Sequence, residues 1–268
     1  MSQKKKIAVI GCGTLGSIFL NLSEQFLSDQ YEITGILTRT GEPKNEFSPR
    51  YHFYRTIDEL VVDAPDYAVE FASAQAVTQY GKYILEKGIH LVLVSIGALA
   101  DSEVYQALKV AAQTSGAKLY VSPGAIGGFD IMRTMTLCGN AKLTVINQKS
   151  PEGLAGAPAL LGKELSKTQK QLIFRGNASE AIRQFPKNVN VAVAASIAAS
   201  DVERAVVEVW SIPGLPENTH RICVETELGR AEMEFASKPD RENPRSSVIT
   251  AWSTVALLNN LASPVQFF

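Results

Sequence analysis

The sequence predicts an α/β protein of two domains: a doubly wound parallel sheet of Rossmann type, followed by an α+β domain bearing an open sheet. Three observations predict it. Short apolar runs alternate with helix-length amphipathic stretches as far as Val121, the pattern of strands joined by crossover helices. Three glycines sit at the first strand-to-helix turn. Beyond Ser122 the pattern shifts to strand-rich segments. A chain of 268 residues has room for two ordinary domains, and 46% hydrophobic with 20% charged residues is typical of a chain that folds.

The apolar run Ile7, Ala8, Val9, Ile10 reads as the first strand and feeds Gly11, Gly13 and Gly16 in the spacing GxGxxG. A helical face then opens with Leu15, Ile18, Phe19, Leu22 and Phe26. Strand, glycine turn and helix in that order are the context that makes the motif a dinucleotide site. Gly11 makes the tight turn, Gly13 admits the pyrophosphate, and Gly16 lets helix and strand pack closely. The N–H groups at the helix start, around Thr14 and Leu15, bind phosphate. Cys12 reads as a small residue filling the turn.

Residues 31–37 alternate as a second strand. NAD-selective folds place an acidic residue at this strand end, about 20 residues past the glycines, to hold the ribose 2′-hydroxyl. Here Leu37, Thr38 and Arg39 occupy the place. A guanidinium suits a 2′-phosphate, which gives NADP at least equal standing with NAD. Strands follow at 51–54, 66–71, 90–95 and 119–121, with helices at 57–62, 74–87 and 102–115. The loops Ala72-Ser73 and Ser95-Ile96-Gly97 fall at strand ends, where ligands bind in such sheets.

Ser122-Pro-Gly-Ala-Ile-Gly-Gly-Phe-Asp130 marks a close-packed crossing into the second domain. Strands are expected at 143–148, 171–174, 205–211, 221–227 and 230–235, with helices at 179–185 and 190–199. Asn243-Pro244 is expected to cap a last helix, 245–261, with Val248, Trp252, Val255 and Leu258 along one face. The domain division is therefore 1–122, with 242–268 returning to it, and a second domain, 123–241.

A net charge of −1 gives no electrostatic case for nucleic acid or an anionic membrane. The lysine-rich start precedes too short an apolar run for a signal peptide and reads as the lead into strand one. No apolar stretch approaches the length of a membrane span. Cys12, Cys138 and Cys223 are odd in number and widely spaced, which argues against a disulfide framework and fits a reducing cytoplasm. No cluster has metal-ligand spacing, so no metal is expected.

Of the three histidines, His52 and His90 fall within or at the start of strands and read as structural. His220 follows the loop 213–219 and precedes a strand, so its ring can be presented at a sheet end. Histidine titrates in the range a dehydrogenase needs to move a proton while hydride moves. A catalytic and a structural role stay equally open on position alone. Asn188 and Asn190 stand at the mouth of a small-residue helix, as helix caps or as carboxamides reaching a nicotinamide or a substrate carboxylate. Lys149 and Lys187 are candidates for holding an acidic substrate, or solvated surface charges.

At these residues the sequence resembles the L-aspartate dehydrogenase family over nearly its whole length. The resemblance is carried by Gly11–Gly16, Ser95-Ile-Gly-Ala-Leu-Ala-Asp101, Pro123-Gly-Ala-Ile-Gly-Gly-Phe-Asp130, Phe185-Pro-Lys-Asn-Val-Asn-Val-Ala192, Asn218-Thr-His220 and Asn243-Pro-Arg-Ser-Ser247. It implies a nucleotide domain plus a smaller catalytic and dimerisation domain, here 123–241, usually in a homodimer. The implied reaction is NAD- or NADP-dependent oxidation of L-aspartate to iminosuccinate, which hydrolyses to oxaloacetate and ammonia or feeds NAD synthesis. By position, His220 matches the family's catalytic histidine, and Ala125 and Asn190 match its cofactor contacts. A reductase for another small amino acid or imine, and a non-catalytic NAD(P)H sensor of the same fold, are the alternative expectations.

Overall fold

The computed structural model describes residues 3–40, 47, 50–186, 189–199, 202–238 and 247–267. The chain divides into two compact units, residues 1–122 with 250–267, and residues 123–249 with 268.

The first unit opens with β1 (Lys5–Ile10), α1 (Thr14–Phe26), β2 (Tyr31–Leu37), β3 (His52–Tyr54) and α2 (Ile57–Val62). It continues with β4 (Tyr67–Glu70), α3 (Ala74–Glu86), β5 (His90–Leu93), a 3₁₀ turn (Ile96–Ala100), α4 (Ser102–Ser115) and β6 (Leu119–Val121). The six strands form one sheet in the order β3-β2-β1-β4-β5-β6, every pair parallel. Ile7 to Ile10 and all of β4 are buried, as strands covered on both faces must be. Chain order reverses between β1 and β4, so a crevice opens at their carboxyl ends, beside Gly11 and Ala72. Ser73 caps α3, accepting from the Ala76 N–H. Asp101 caps α4, accepting from Glu103 and Val104, and Gly116 ends that helix at φ +79°.

Two expected helix faces are corrected. In α1 the buried residues are Gly16, Phe19, Leu20, Leu22 and Ser23, while Phe26 is 43% exposed. The C-terminal helix is Ile249–Ala262 and buries Ala251, Thr254, Val255 and Leu258. Their spacing puts the small Ala251 and Thr254 on the core side, against a cluster that includes Phe19, Leu27 and Tyr31. Tyr31 O–H donates to the Leu258 carbonyl at 2.8 Å. Trp252 falls off this face and stacks with Phe26, centroids 5.5 Å apart. Ser247, expected inside the helix, lies in a strand-like bridge with its hydroxyl 2.6 Å from Ser237 Oγ. The cap proposed at Asn243-Pro244 lies outside the described residues.

The second unit contains α5 (Phe129–Leu137), β7 (Lys142–Lys149), α6 (Pro151–Leu154), β8 (Gln171–Gly176), α7 (Ala178–Gln184), α8 (Asn190–Ala199), β9 (Val206–Ser211), β10 (Asn218–Thr226) and β11 (Gly229–Ser237). The strands run β11-β10-β7-β9-β8, antiparallel except for β7 with β9. Burial alternates strictly along β7 and β9, so one face of the sheet is core and the other is open. Helices α5, α7 and α8 pack on the buried face. In α8 the run Val191 to Ser196 is buried all round, because its alanines let neighbouring backbones approach closely.

Candidate active site

The Gly11 turn lies in the first unit. Gly11 has φ +94°, and a Cβ there would stand 2.8 Å from the Ala72 backbone. A Cβ on Gly16 would collide with the Gly11 carbonyl oxygen. Both positions therefore require glycine, one for conformation and contact, one for contact alone. Gly13 has nothing within 4 Å of a built Cβ, so its backbone faces open space. It caps α1 without a side-chain hydrogen bond, and the first turn of α1, which begins at Thr14 and Leu15, holds no acidic residue. Exposed N–H groups at the positive end of a 13-residue helix suit a phosphate, so the turn fits a dinucleotide. At the end of β2, Leu37 is buried, Thr38 half-buried and Arg39 exposed.

Glu70, which sequence reasoning missed, closes the far side of the same crevice. It is 1% exposed at the end of β4. Its Oε1 accepts from the Ala72 N–H at 2.7 Å and the Ser95 hydroxyl at 2.9 Å. Oε2 accepts from the Ser95 N–H at 2.9 Å. Burial pushes this carboxyl above the ordinary carboxylate range, and the bonds from Ser95 and Ala72 pull it back. One carboxylate thus ties together the two loops expected to line the crevice, and holds the Ala72 backbone against Gly11.

The second cluster lies in the second unit, on the buried face of the five-stranded sheet. His220 does not precede a strand, as expected; it lies within β10, because β10 begins at Asn218. Its ring is 3% exposed. Register places Asn147 of β7 directly opposite, and Nδ1 of His220 is 2.8 Å from Asn147 Oδ1. Asn147 Nδ2 faces the Glu208 carbonyl oxygen at 3.5 Å, so the amide presents its oxygen to the imidazole. Nδ1 therefore carries the proton and Nε2 keeps its lone pair. Burial, then the Lys149 cation, push the imidazole down to about 3, so it is neutral at pH 7.

Lys149 ends β7 on the same face and is 4% exposed. It is not the solvated surface charge that was one of its two expected readings. Among the described residues no ion pair includes it, and burial alone lowers its ammonium to about 8. Ser211, Asn218 and Ser237 are further buried polar residues of this sheet. A neutral imidazole near a buried ammonium that has no ion pair among the described residues is chemically suited to a ligand that brings its own negative charge.

The remaining expected site residues are placed as follows. Ala125 is 8% exposed, in the turn before α5. That segment lies flat on β11: a Cβ on Gly128 would collide with Met233 Sδ. Asn190 is the first residue of α8 and is half-buried. Lys187 and Asn188 lie outside the described residues. His52 is exposed and stacks edge-on with Tyr54. His90 accepts from the Lys118 N–H at 3.1 Å between Tyr67 and Tyr120. Among the described residues no group of three His, Cys, Asp or Glu could hold a metal, and no helix is long and apolar enough to cross a membrane.

A family model described as "Aspartate dehydrogenase, C-terminal" matches residues 130–261. One described as "Homoserine dehydrogenase, NAD binding domain" matches residues 11–122. The L-aspartate dehydrogenase of Methanosarcina barkeri is 38% identical over 97% of this chain and 98% of its own length. That of Archaeoglobus fulgidus is 35% identical over 95% of this chain and 97% of its own. The crystal structure of aspartate dehydrogenase from Thermotoga maritima, 23% identical, superposes with a TM-score of 0.78 over 99% of this chain and 100% of that one. That superposition shows the same fold. With relatives this similar along nearly its full length, the chain belongs to the L-aspartate dehydrogenase family.

Proposed function

We propose that this protein is a nicotinamide-dependent dehydrogenase that oxidises L-aspartate to iminosuccinate, with His220 as the acid/base group. The observation that carries the reading is the buried His220–Asn147 pair, which holds a neutral imidazole with Nε2 unprotonated, near a Lys149 that has no ion pair among the described residues. Family membership supports the substrate: the relatives named above are L-aspartate dehydrogenases. A bound nicotinamide supplies the acceptor for the Cα hydride. The dinucleotide is held at Gly11, Gly13, Thr14, Leu15 and Gly16, and the family resemblance assigns Ala125 and Asn190 as further cofactor contacts.

His220 Nε2 takes a proton from the substrate ammonium, freeing the nitrogen lone pair to form the C=N bond as the Cα–H bond breaks. Once that proton has passed to solvent, His220 takes a proton from the water attacking the iminium carbon, gives it to the nitrogen, and then takes the remaining hydroxyl proton as the C–N bond breaks, giving oxaloacetate and ammonia. Asn147 is a positioning residue that fixes the tautomer. Lys149 holds a substrate carboxylate, with Lys187 and Asn188 as further candidates. The incoming carboxylate also tunes the base. Free, the imidazole is held down by burial and by Lys149; a bound anion offsets the cation and raises Nε2 toward the range where it accepts a proton.

For the cofactor we infer NADP, with Thr38 and Arg39 at the ribose 2′-phosphate, because no acidic side chain ends β2. The test of the function is reduced-nicotinamide absorbance across a panel of amino acids, with oxaloacetate and ammonia assayed as products. Preference for L-aspartate by more than about tenfold in kcat/KM is expected; equal rates across the panel sink the substrate.

A further inference from the structure

Among the described residues of the second unit, two buried side-chain polar atoms have no hydrogen-bond partner, Ser211 Oγ and Asn218 Nδ2. Their residues are 0% and 5% exposed. A buried hydroxyl or amide left unpaired costs free energy, and such groups are rare in native folds. These two are not scattered. They stand on β9 and β10, the strands on either side of β7. Lys149 of β7 is paired in register with Ser211, and the pairing of Thr219 with Gln148 sets Asn218 next to Lys149 on the other side. Alternating burial puts all three side chains on the sheet's inner face, with His220 two residues along β10 from Asn218. A Cβ on Gly153 would stand 3.6 Å from Lys149 Cβ, 3.7 Å from Ser150 Oγ and 3.8 Å from Asn218 Oδ1, so Lys149 and Asn218 both lie against the turn at Gly153.

We propose that Ser211 and Asn218 complete, with Lys149, a three-donor cradle for a substrate carboxylate beside His220. The proposal rests on reading this end of the sheet as the substrate site, and it names two residues beyond that reading. An ammonium, an amide N–H and a hydroxyl that rotates to donate form a set that offers donors to a ligand. It repels a metal ion and matches a carboxylate, whose two oxygens accept about four hydrogen bonds. The unpaired atoms are accounted for as binding energy held open in the free protein and collected when the anion arrives. The three strands keep the donors in place, so no side chain has to be ordered on binding.

The probe is succinate, a dicarboxylate without an amine, added to the full-length cofactor-free protein and read by thermal shift. Sulfate at equal ionic strength serves as the comparison. Succinate is expected to stabilise the wild type in preference to sulfate, and Ser211→Ala and Asn218→Ala each to weaken its apparent affinity about tenfold or more. Ligand-free Ser211→Ala is expected to melt at or above the wild-type temperature, since the change removes an orphaned hydroxyl and adds nothing larger. Succinate affinity equal in wild type and variants, or equal to that of sulfate, overturns the cradle. A lower melting temperature in ligand-free Ser211→Ala overturns it too, because the hydroxyl would then be satisfied within the fold. Wild-type turnover of L-aspartate is followed in parallel. Turnover with unaltered variants refutes the cradle alone, while succinate binding that depends on both residues without aspartate turnover refutes the aspartate reading alone.

Discussion

Replacing Lys149 by Met should make the free protein more stable and the enzyme useless. The ammonium is 4% exposed, and burial lowers it from 10.5 to about 8. At about 1.4 kcal/mol per pH unit, that gap is a native-state cost of about 3 kcal/mol at pH 7. The sign follows from proton counts. Between pH 8 and 10.5 the unfolded chain keeps the Lys149 proton while the folded chain has released it, so stability rises with pH across that window. Below about 8 both forms are charged and the whole cost is present. Methionine keeps the length of the stem and removes the charge. Lys149→Met should therefore gain up to about 3 kcal/mol at pH 7, with the gain fading towards zero by pH 10.5. Urea denaturation of the cofactor-free protein at both pH values measures it. In the same variant the KM for L-aspartate should rise about a hundredfold or more, the loss expected for a charged hydrogen-bond partner. A variant less stable than wild type at pH 7, or a stability difference that does not change with pH, refutes the argument that the cation is unpaired in the free protein.

Two further outcomes follow from the first unit. In Glu70→Gln an NH2 group must face an N–H or hydroxyl donor now satisfied by a carboxylate oxygen. The variant should lose roughly 1–3 kcal/mol of stability and bind the dinucleotide more weakly, because Ala72 loses its anchor behind Gly11; unchanged denaturation and cofactor titration curves contradict this. Arg39→Ala should weaken NADP about tenfold or more while leaving NAD within about twofold, measured by fluorescence titration of the reduced forms. Equal losses for both cofactors remove Arg39 from the 2′-phosphate.

Much of the fold was legible because its signals are local. The glycine spacing and flanking periods of residues 7–26 specify β1, the turn and α1 without any distant contact. Alternation in 143–148 and the small-residue run in 190–199 do the same for β7 and α8. Boundaries that depend on pairing were less legible. β10 extends back to Asn218 because Ser237 and Ala236 of β11 remain to pair with it, and no feature of the loop 213–219 records that. Helix α5 begins at a left-handed Gly128, which reads as more loop. The site divides in the same way. His220 and Lys149 drew notice by residue type. Asn147, Ser211 and Asn218 join the proposed site through cross-strand register, and Glu70 comes to notice through two loops converging on one carboxylate. The one usable signal was parity: polar residues on the apolar beat of a strand, as at Asn147 and Lys149, mark buried polar positions. Glu70 offered a similar hint as an acid in the otherwise apolar run Tyr67–Glu70.

His220 is the group proposed to move the substrate proton. The most direct measurement compares wild type and His220→Ala with L-aspartate under saturating cofactor, following reduced nicotinamide, with cofactor affinity and melting temperature taken on the same samples. A fall in kcat of about a hundredfold or more is expected, with cofactor affinity unchanged and the ligand-free protein still folded. Turnover within about threefold of wild type would contradict it and return His220 to the structural histidines.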